Sequence, residues 1–196
     1  MPDNYHTAGS GGDRHLEFYG DWDNLTRPDT LVMVQSCGPD PRRCAPEEVV
    51  VTAITLDQAT TIVEATLAKG RELGLDPLTV VVLDPGGHVV ALKREDGSGI
   101  LRPQIATGKA WGALGMGFAS RELARRAEEY PVFVAALTGV SGGRVVPVPG
   151  GVLIRTSDGA LVGAVGVSGD ASDKDEECAA HGVQAAGLVA DTAGEG

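Results

Sequence analysis

Apolar residues recur at helical spacing from Leu56 through Ala59, Ile62, Val63 and Leu67 to Gly70, and Gly74 stops the pattern. Thr55 followed by Gln58 is the capping-box arrangement that starts such a helix. LTVVVLD (78–84) is a continuous apolar run of strand length, PGG a turn, and HVVALKRED (88–96) a second strand, so residues 79–95 read as an antiparallel hairpin. LRPQIATGKAWGALGM (101–116) suits a second helix, with Pro103 tolerated in its first turn, and a third starts at Ser120. Beyond Pro131 the pattern predicts a long loop carrying Gly139, Gly142, Gly143, Gly150 and Gly151. GVLIRT and ALVGAVGVSG around an SDG turn form a second hairpin, followed by a final helix over 172–190 capped by Ser172. Two hairpins separated by helices argue for an α/β fold with one mainly antiparallel sheet flanked by helices, not an alternating βαβ winding.

The first 50 residues break this regularity, with a Gly/Ser/Asp-rich start and two apolar segments, LEFYGDW and TLVMVQS. They read as an N-terminal extension, 1–50, that is partly disordered and able to act as an oligomer arm, leaving 51–196 as the domain. Of 196 residues, 42% are hydrophobic and 22% charged, the balance of a globular chain. The net charge of −11 repels phosphate backbones and anionic membrane faces, which argues against nucleic acid and membrane as partners. No apolar run reaches the roughly 20 residues that span a bilayer, and the N-terminus lacks a signal-peptide core, so the chain reads as cytoplasmic. Cys37, Cys44 and Cys178 are too few for a disulfide framework; Cys37 and Cys44 flank the turn-rich GPDPRR, where they either close a small disulfide loop or, as a reducing compartment favours, stay free thiols.

Lys109 is the most suggestive single residue. Its helix neighbours Ala106, Ala110, Ala113 and Gly115 are small, so a long cation rises from a face that leaves room for a pocket. Desolvated there, it serves as a base or Schiff-base amine, or stays charged and holds a carboxylate; a snorkelling surface lysine is the plain alternative. Arg94 and Asp96 close the second strand next to the start of that helix, and are otherwise ordinary solvated charges. The pairs Gly142/Gly143 and Gly150/Gly151 can present backbone N–H groups to an anion. His88 opens a strand and is either a ligand-facing or a solvent-facing residue, whereas His181 reads as a hydrogen-bonded structural histidine. Asp173 and Glu176 share a helix face that suits a hard cation, but acids complementing the helix dipole are the plainer reading, and no metal site is assigned. Dinucleotide, P-loop and zinc-protease motifs are absent, and GVSGG (139–143) lacks the strand and helix of a nucleophile elbow.

Four segments carry a resemblance: VVVLDPGGHVVALKREDG, ATGKAWGALGMGFASREL, SGGRVVPVPGGVLI and GALVGAVGVSGDASDKDEECAAHG. In this order they resemble the haem-degrading-domain family over residues 55–190. The resemblance implies a profilin-like sandwich, assembly into dimers up to octamers, and a small-molecule ligand, with haem or another tetrapyrrole as the candidate cofactor. It also favours a pocket role for Lys109 and an anion-facing role for the glycine pairs, beside which His88 is a candidate ligand-binding residue. Related haem-binding domains use a histidine on the first helix, and LDQATTIVEATLAKGRELG contains none. The alternative is a cofactor-independent enzyme acting on a small oxo- or hydroxy-acid, with Lys109 as base or clamp beside Arg94 and Asp96.

Overall fold

The computed structural model describes residues 53–192. The extension 1–50, with Cys37 and Cys44, lies outside the described residues. The chain runs α1 (Leu56–Glu72), β1 (Thr79–Leu83), β2 (Val89–Arg94), α2 (Arg102–Met116), α3 (Ser120–Glu129), α4 (Pro131–Val140), β3 (Gly151–Arg155), β4 (Leu161–Ser168), α5 (Ser172–Ala185) and β5 (Val189–Asp191). The strands form one sheet of order β2-β1-β4-β3-β5, and every neighbouring pair is antiparallel. This is the α/β fold, a mainly antiparallel sheet flanked by helices, that the hydrophobic pattern implied, and it agrees with the sandwich that the resemblance implied.

Both faces of the central strands β1, β4 and β3 are covered, which explains why these strands read as continuous apolar runs, whereas the edge strand β2 is largely exposed. On one face Val80, Val82, Val152, Ile154, Val165 and Val167 pack under α1 and α5. On the other, Val81, Leu83, Leu153 and Ala164 meet Ala106, Ala110 and Ala113 of α2. The capping box holds at the start of α1: Gln58 N–H donates to Thr55 Oγ1 at 3.2 Å, and Thr55 N–H to Gln58 Oε1 at 3.1 Å.

Three features differ from the sequence reading. The stretch after Pro131 is not a loop at first but α4, because Pro131 stands in the first helical turn, where its missing N–H costs nothing. The glycine loop proper begins only at Ser141. The last helix stops at Ala185, Gly187 takes a left-handed turn at φ +73°, and residues 189–191 pair with β3 instead of continuing the helix. Ala171, not Ser172, is the N-cap of α5, and no side chain bonds its first turn, although Asp173 and Asp175 do sit there.

Candidate functional site

Lys109 points inward. Its side chain is 2% exposed, and its ammonium donates to the Asp175 carboxylate at 2.8 Å and to the Val167 carbonyl at 2.9 Å. Asp175 belongs to α5 on the opposite face of the sheet, so the lysine stem passes around the end of β3 and β4 to reach it. Gly150 and Gly151 make that passage. A Cβ on Gly150 would stand 2.9 Å from Lys109 Nζ and 3.0 Å from the Asp175 Cβ, and one on Gly151 would run into the Lys109 carbonyl. The small residues beside Lys109 therefore do not leave a pocket: Ala106, Ala110 and Ala113 are fully buried against the sheet. Burial pulls the Lys109 ammonium below its ordinary value and pushes the Asp175 carboxyl above its own, and the mutual attraction opposes both shifts.

The acidic start of α5 is likewise occupied from within. Arg121 of α3 donates through Nε to Glu176 and through Nη2 to Asp173, both at 2.7 Å, and Lys174 pairs with Glu177 at 2.8 Å. The i, i+3 acid pair thus holds a guanidinium, and among the described residues no group of His, Cys, Asp and Glu has the arrangement of a metal site. His181 is solvent-exposed, contrary to the structural role read for it. Cys178 is buried, and burial raises its thiol to about 11.

Two open clefts stand out among the described residues. One lies on the outer face of α2, where Pro103, Gln104, Thr107, Gly108 and Trp111 meet Gly143 and Arg144 of the glycine loop in a groove of about 340 Å³. Gly142 and Gly143 turn the chain there at φ +62° and +81°, backbone that side-chain-bearing residues rarely adopt. This turn brings the Arg144 guanidinium 4.5 Å from the Trp111 ring centroid, with Nε donating to the Ser141 carbonyl at 3.1 Å. The α2–glycine-loop groove thus exists, but its cation is Arg144 and not Lys109. The spacing of α2 puts residues 103, 104, 107, 108 and 111 on one stripe, while residues 102, 106, 109, 110 and 113 face the sheet.

The second cleft, about 740 Å³, runs between the end of α1 and the end of β2. Leu67, Leu75 and Leu92 form its apolar wall, and Arg94, Glu95 and Asp96 its charged rim. Arg94 and Asp96 are accordingly separate from the groove and from Lys109. His88 sits at the other end of β2, its side chain 81% exposed and 3.3 Å from the Asp84 carboxylate. Sequence reasoning missed Trp111, Arg144, Arg121 and the Lys109–Asp175 pairing.

Haem iron takes His, Cys, Met or Tyr as a protein ligand. Neither cleft is lined by any of them. Trp111 and Arg144 suit the ring and the carboxylates of a porphyrin, whereas the residues present do not fit iron ligation in either cleft.

No curated protein matches the chain. Among solved structures, PduOC in its heme complex is 25% identical, with 71% of this chain and 98% of that chain covered and a TM-score of 0.63. HbpS is 28% identical, with 77% and 97% covered and a TM-score of 0.62. Klebsiella pneumoniae ORFY, at 23% identity, 72% and 95% coverage and a TM-score of 0.64, is alike in fold. Residues 54–184 match the family described as haem degrading protein HbpS-like, and since that is more than half of the chain, the chain belongs to this family.

Proposed function

We propose that the chain is a small-molecule binding protein of the haem-related class, working in the cytoplasm, and that its ligand is a planar ring bearing carboxylates, held in the groove between α2 and the glycine loop. The observation that carries this reading is the Arg144–Trp111 pair. It places an apolar wall and a cation without a carboxylate partner on one open groove, so a ring edge and a propionate-type group can be met together. Family membership and the likeness to PduOC in its heme complex supply the ligand class. The oxo- or hydroxy-acid enzyme is less favoured, because the Lys109 amine is spent on Asp175 and lines neither cleft.

The test is a titration of the full chain with hemin, followed by absorbance, and with iron-free protoporphyrin IX, followed by fluorescence. Both are expected to saturate with similar affinity, since the groove addresses ring and carboxylate. Arg144→Gln and Trp111→Ala are each expected to weaken both by about tenfold, the worth of one charge-assisted bond or stacked ring. Hemin binding with no porphyrin binding, or binding indifferent to both substitutions, would overturn the reading.

A homo-oligomer, between dimer and octamer, belongs to the same proposal. Val132, Phe133 and Val140 of α4 are 84%, 50% and 87% exposed, and a ten-residue helix with one buried side chain is marginal without a further surface to pack on. Light scattering at micromolar concentration is expected to give a multiple of the chain mass, and Val132→Glu combined with Phe133→Glu to lower it. A monomer would count against the assembly.

A further inference from the structure

In an acidic chain nearly every cation is met. Among the described residues, each Lys and Arg is ion-paired with a carboxylate except Arg94, Arg102 and Arg144. Arg144 belongs to the groove. The other two converge on one place, the end of the sheet at the head of α2. Arg94, Thr79 and Ser168 are register partners across β2, β1 and β4, so their side chains leave the sheet on one face in a single row. Thr79 and Ser98 join their hydroxyls at 2.8 Å, and both are buried. Arg94 donates through Nη1 to the Ser98 carbonyl, and Arg102 through Nη1 to Ser168 Oγ at 3.2 Å. Each guanidinium is thereby fastened by one nitrogen, Arg94 to the carbonyl of buried Ser98 and Arg102 to the hydroxyl of buried Ser168, and among the described residues their remaining N–H groups have no acceptor.

Nearby acids are committed elsewhere. Glu95 pairs with Arg71 and accepts from Leu78 N–H at 2.7 Å. Asp170 accepts from the amides of Asp76 and Ala171 at 2.8 and 2.6 Å, and Asp175 is held by Lys109. Asp96 is exposed to solvent two residues beyond Arg94. The first turn of α2 adds no acidic side chain and no side-chain cap.

We infer that Arg94 and Arg102 form an oxyanion site at the head of α2, taking one carboxylate or phosphate group between the two guanidiniums, on a different face of α2 from the Trp111–Arg144 groove. The Ser98 carbonyl and the Ser168 hydroxyl each hold one fork before the anion arrives, and two guanidiniums provide the planar donor geometry that such oxygens accept. The site stands independently of the porphyrin reading.

The probes are inorganic phosphate and acetate, added at constant ionic strength to the isotope-labelled full chain, with amide spectra as readout. Saturable shifts are expected at residues 98–104 and around Thr79 and Ser168, and the tighter of the two ions names the group bound. Arg94→Gln and Arg102→Gln are each expected to weaken that ion at least tenfold, while Arg144→Gln leaves it unchanged. Arg94 is exposed and bonds only a carbonyl, so its substitution carries the test even if Arg102→Gln fails to fold. Shifts that do not saturate, shifts that survive Arg94→Gln, or shifts abolished by Arg144→Gln would overturn the site.

Discussion

Lys109→Met is expected to destabilise the fold by about 3–5 kcal/mol in urea denaturation, the cost of removing one partner from a buried ion pair. The reason is what stays behind. Asp175 has a side chain 1% exposed and is ion-paired by Lys109, so the substitution leaves a carboxylate in the protein interior held chiefly by the 3.2 Å bond from Asp170 N–H. Reading Lys109 as the lysine of an open pocket leads to the opposite outcome, little change or a gain, since an apolar stem would replace a costly ammonium. The double substitution Lys109→Met with Asp175→Leu decides the matter, because exchanging both charges for apolar groups is often neutral or stabilising. Most of the lost stability is expected to return. The pH dependence gives a second check. Burial already raises the Asp175 carboxyl, and without the ammonium only the Asp170 N–H bond and the charge of Arg102 still oppose that shift. The folded variant then binds a proton more tightly than the unfolded chain, so its stability falls as pH rises from the unfolded value of about 4 through the raised folded value, and recovers on acidification. A Lys109→Met protein as stable as the parent, with no extra pH dependence, would show the pair to be energetically idle.

What the sequence disclosed and what it hid divide along physical lines. The period-3.6 pattern from Leu56, the capping box and the two apolar hairpins were legible because each is local: spacing and turn chemistry decide them within a few residues. The segment after Pro131 was misread because proline and the glycines that follow look like breakers. Yet Pro131 stands where a helix tolerates it, and VFVAAL between them is apolar enough to continue one. The short β5 was hidden because its pairing with β3 is made by a strand of three residues.

The site was less legible than the fold. Lys109 drew attention correctly as an unusual residue, but its partner lies 66 positions away on a helix across the sheet, and no spacing rule connects them. Asp175 looked like one of several acids in a first helical turn, which it also is. The small residues of α2 suggested vacancy, whereas they record how closely that helix approaches the strands. Arg144 follows the two glycines whose left-handed turn aims it at Trp111, so the glycines were the signal and the arginine the residue they serve.

The close approach of α2 makes Gly166→Ala the other large effect. Gly166 of β4 pairs with Gly151 of β3, and the two glycines lie side by side beneath the helix. A Cβ at Gly166 would drive into the Ala106 carbonyl and stand 3.1 Å from the Ala110 Cβ, while Gly151 faces the Lys109 carbonyl in the same way. Backbone carbonyls of a helix cannot rotate aside as a flexible side chain does, so the helix itself must rise. Overpacking commonly costs 1–3 kcal/mol, and here the upper end, about 3 kcal/mol, is expected because the displaced atoms are backbone. Raising α2 also draws Lys109 away from Asp175, and shifts Trp111 in the groove and Arg102 at the head of the helix. Gly166→Ala is therefore expected to weaken porphyrin and phosphate binding together, although the glycine touches neither. Gly159→Ala is the comparison: at φ +90° with open space around its Cβ, it carries backbone strain alone and is expected to cost about 1 kcal/mol and to leave both ligands alone. Equal losses from the two substitutions in denaturation and ligand titration would mean that backbone strain, not the seating of α2, sets the penalty at Gly166.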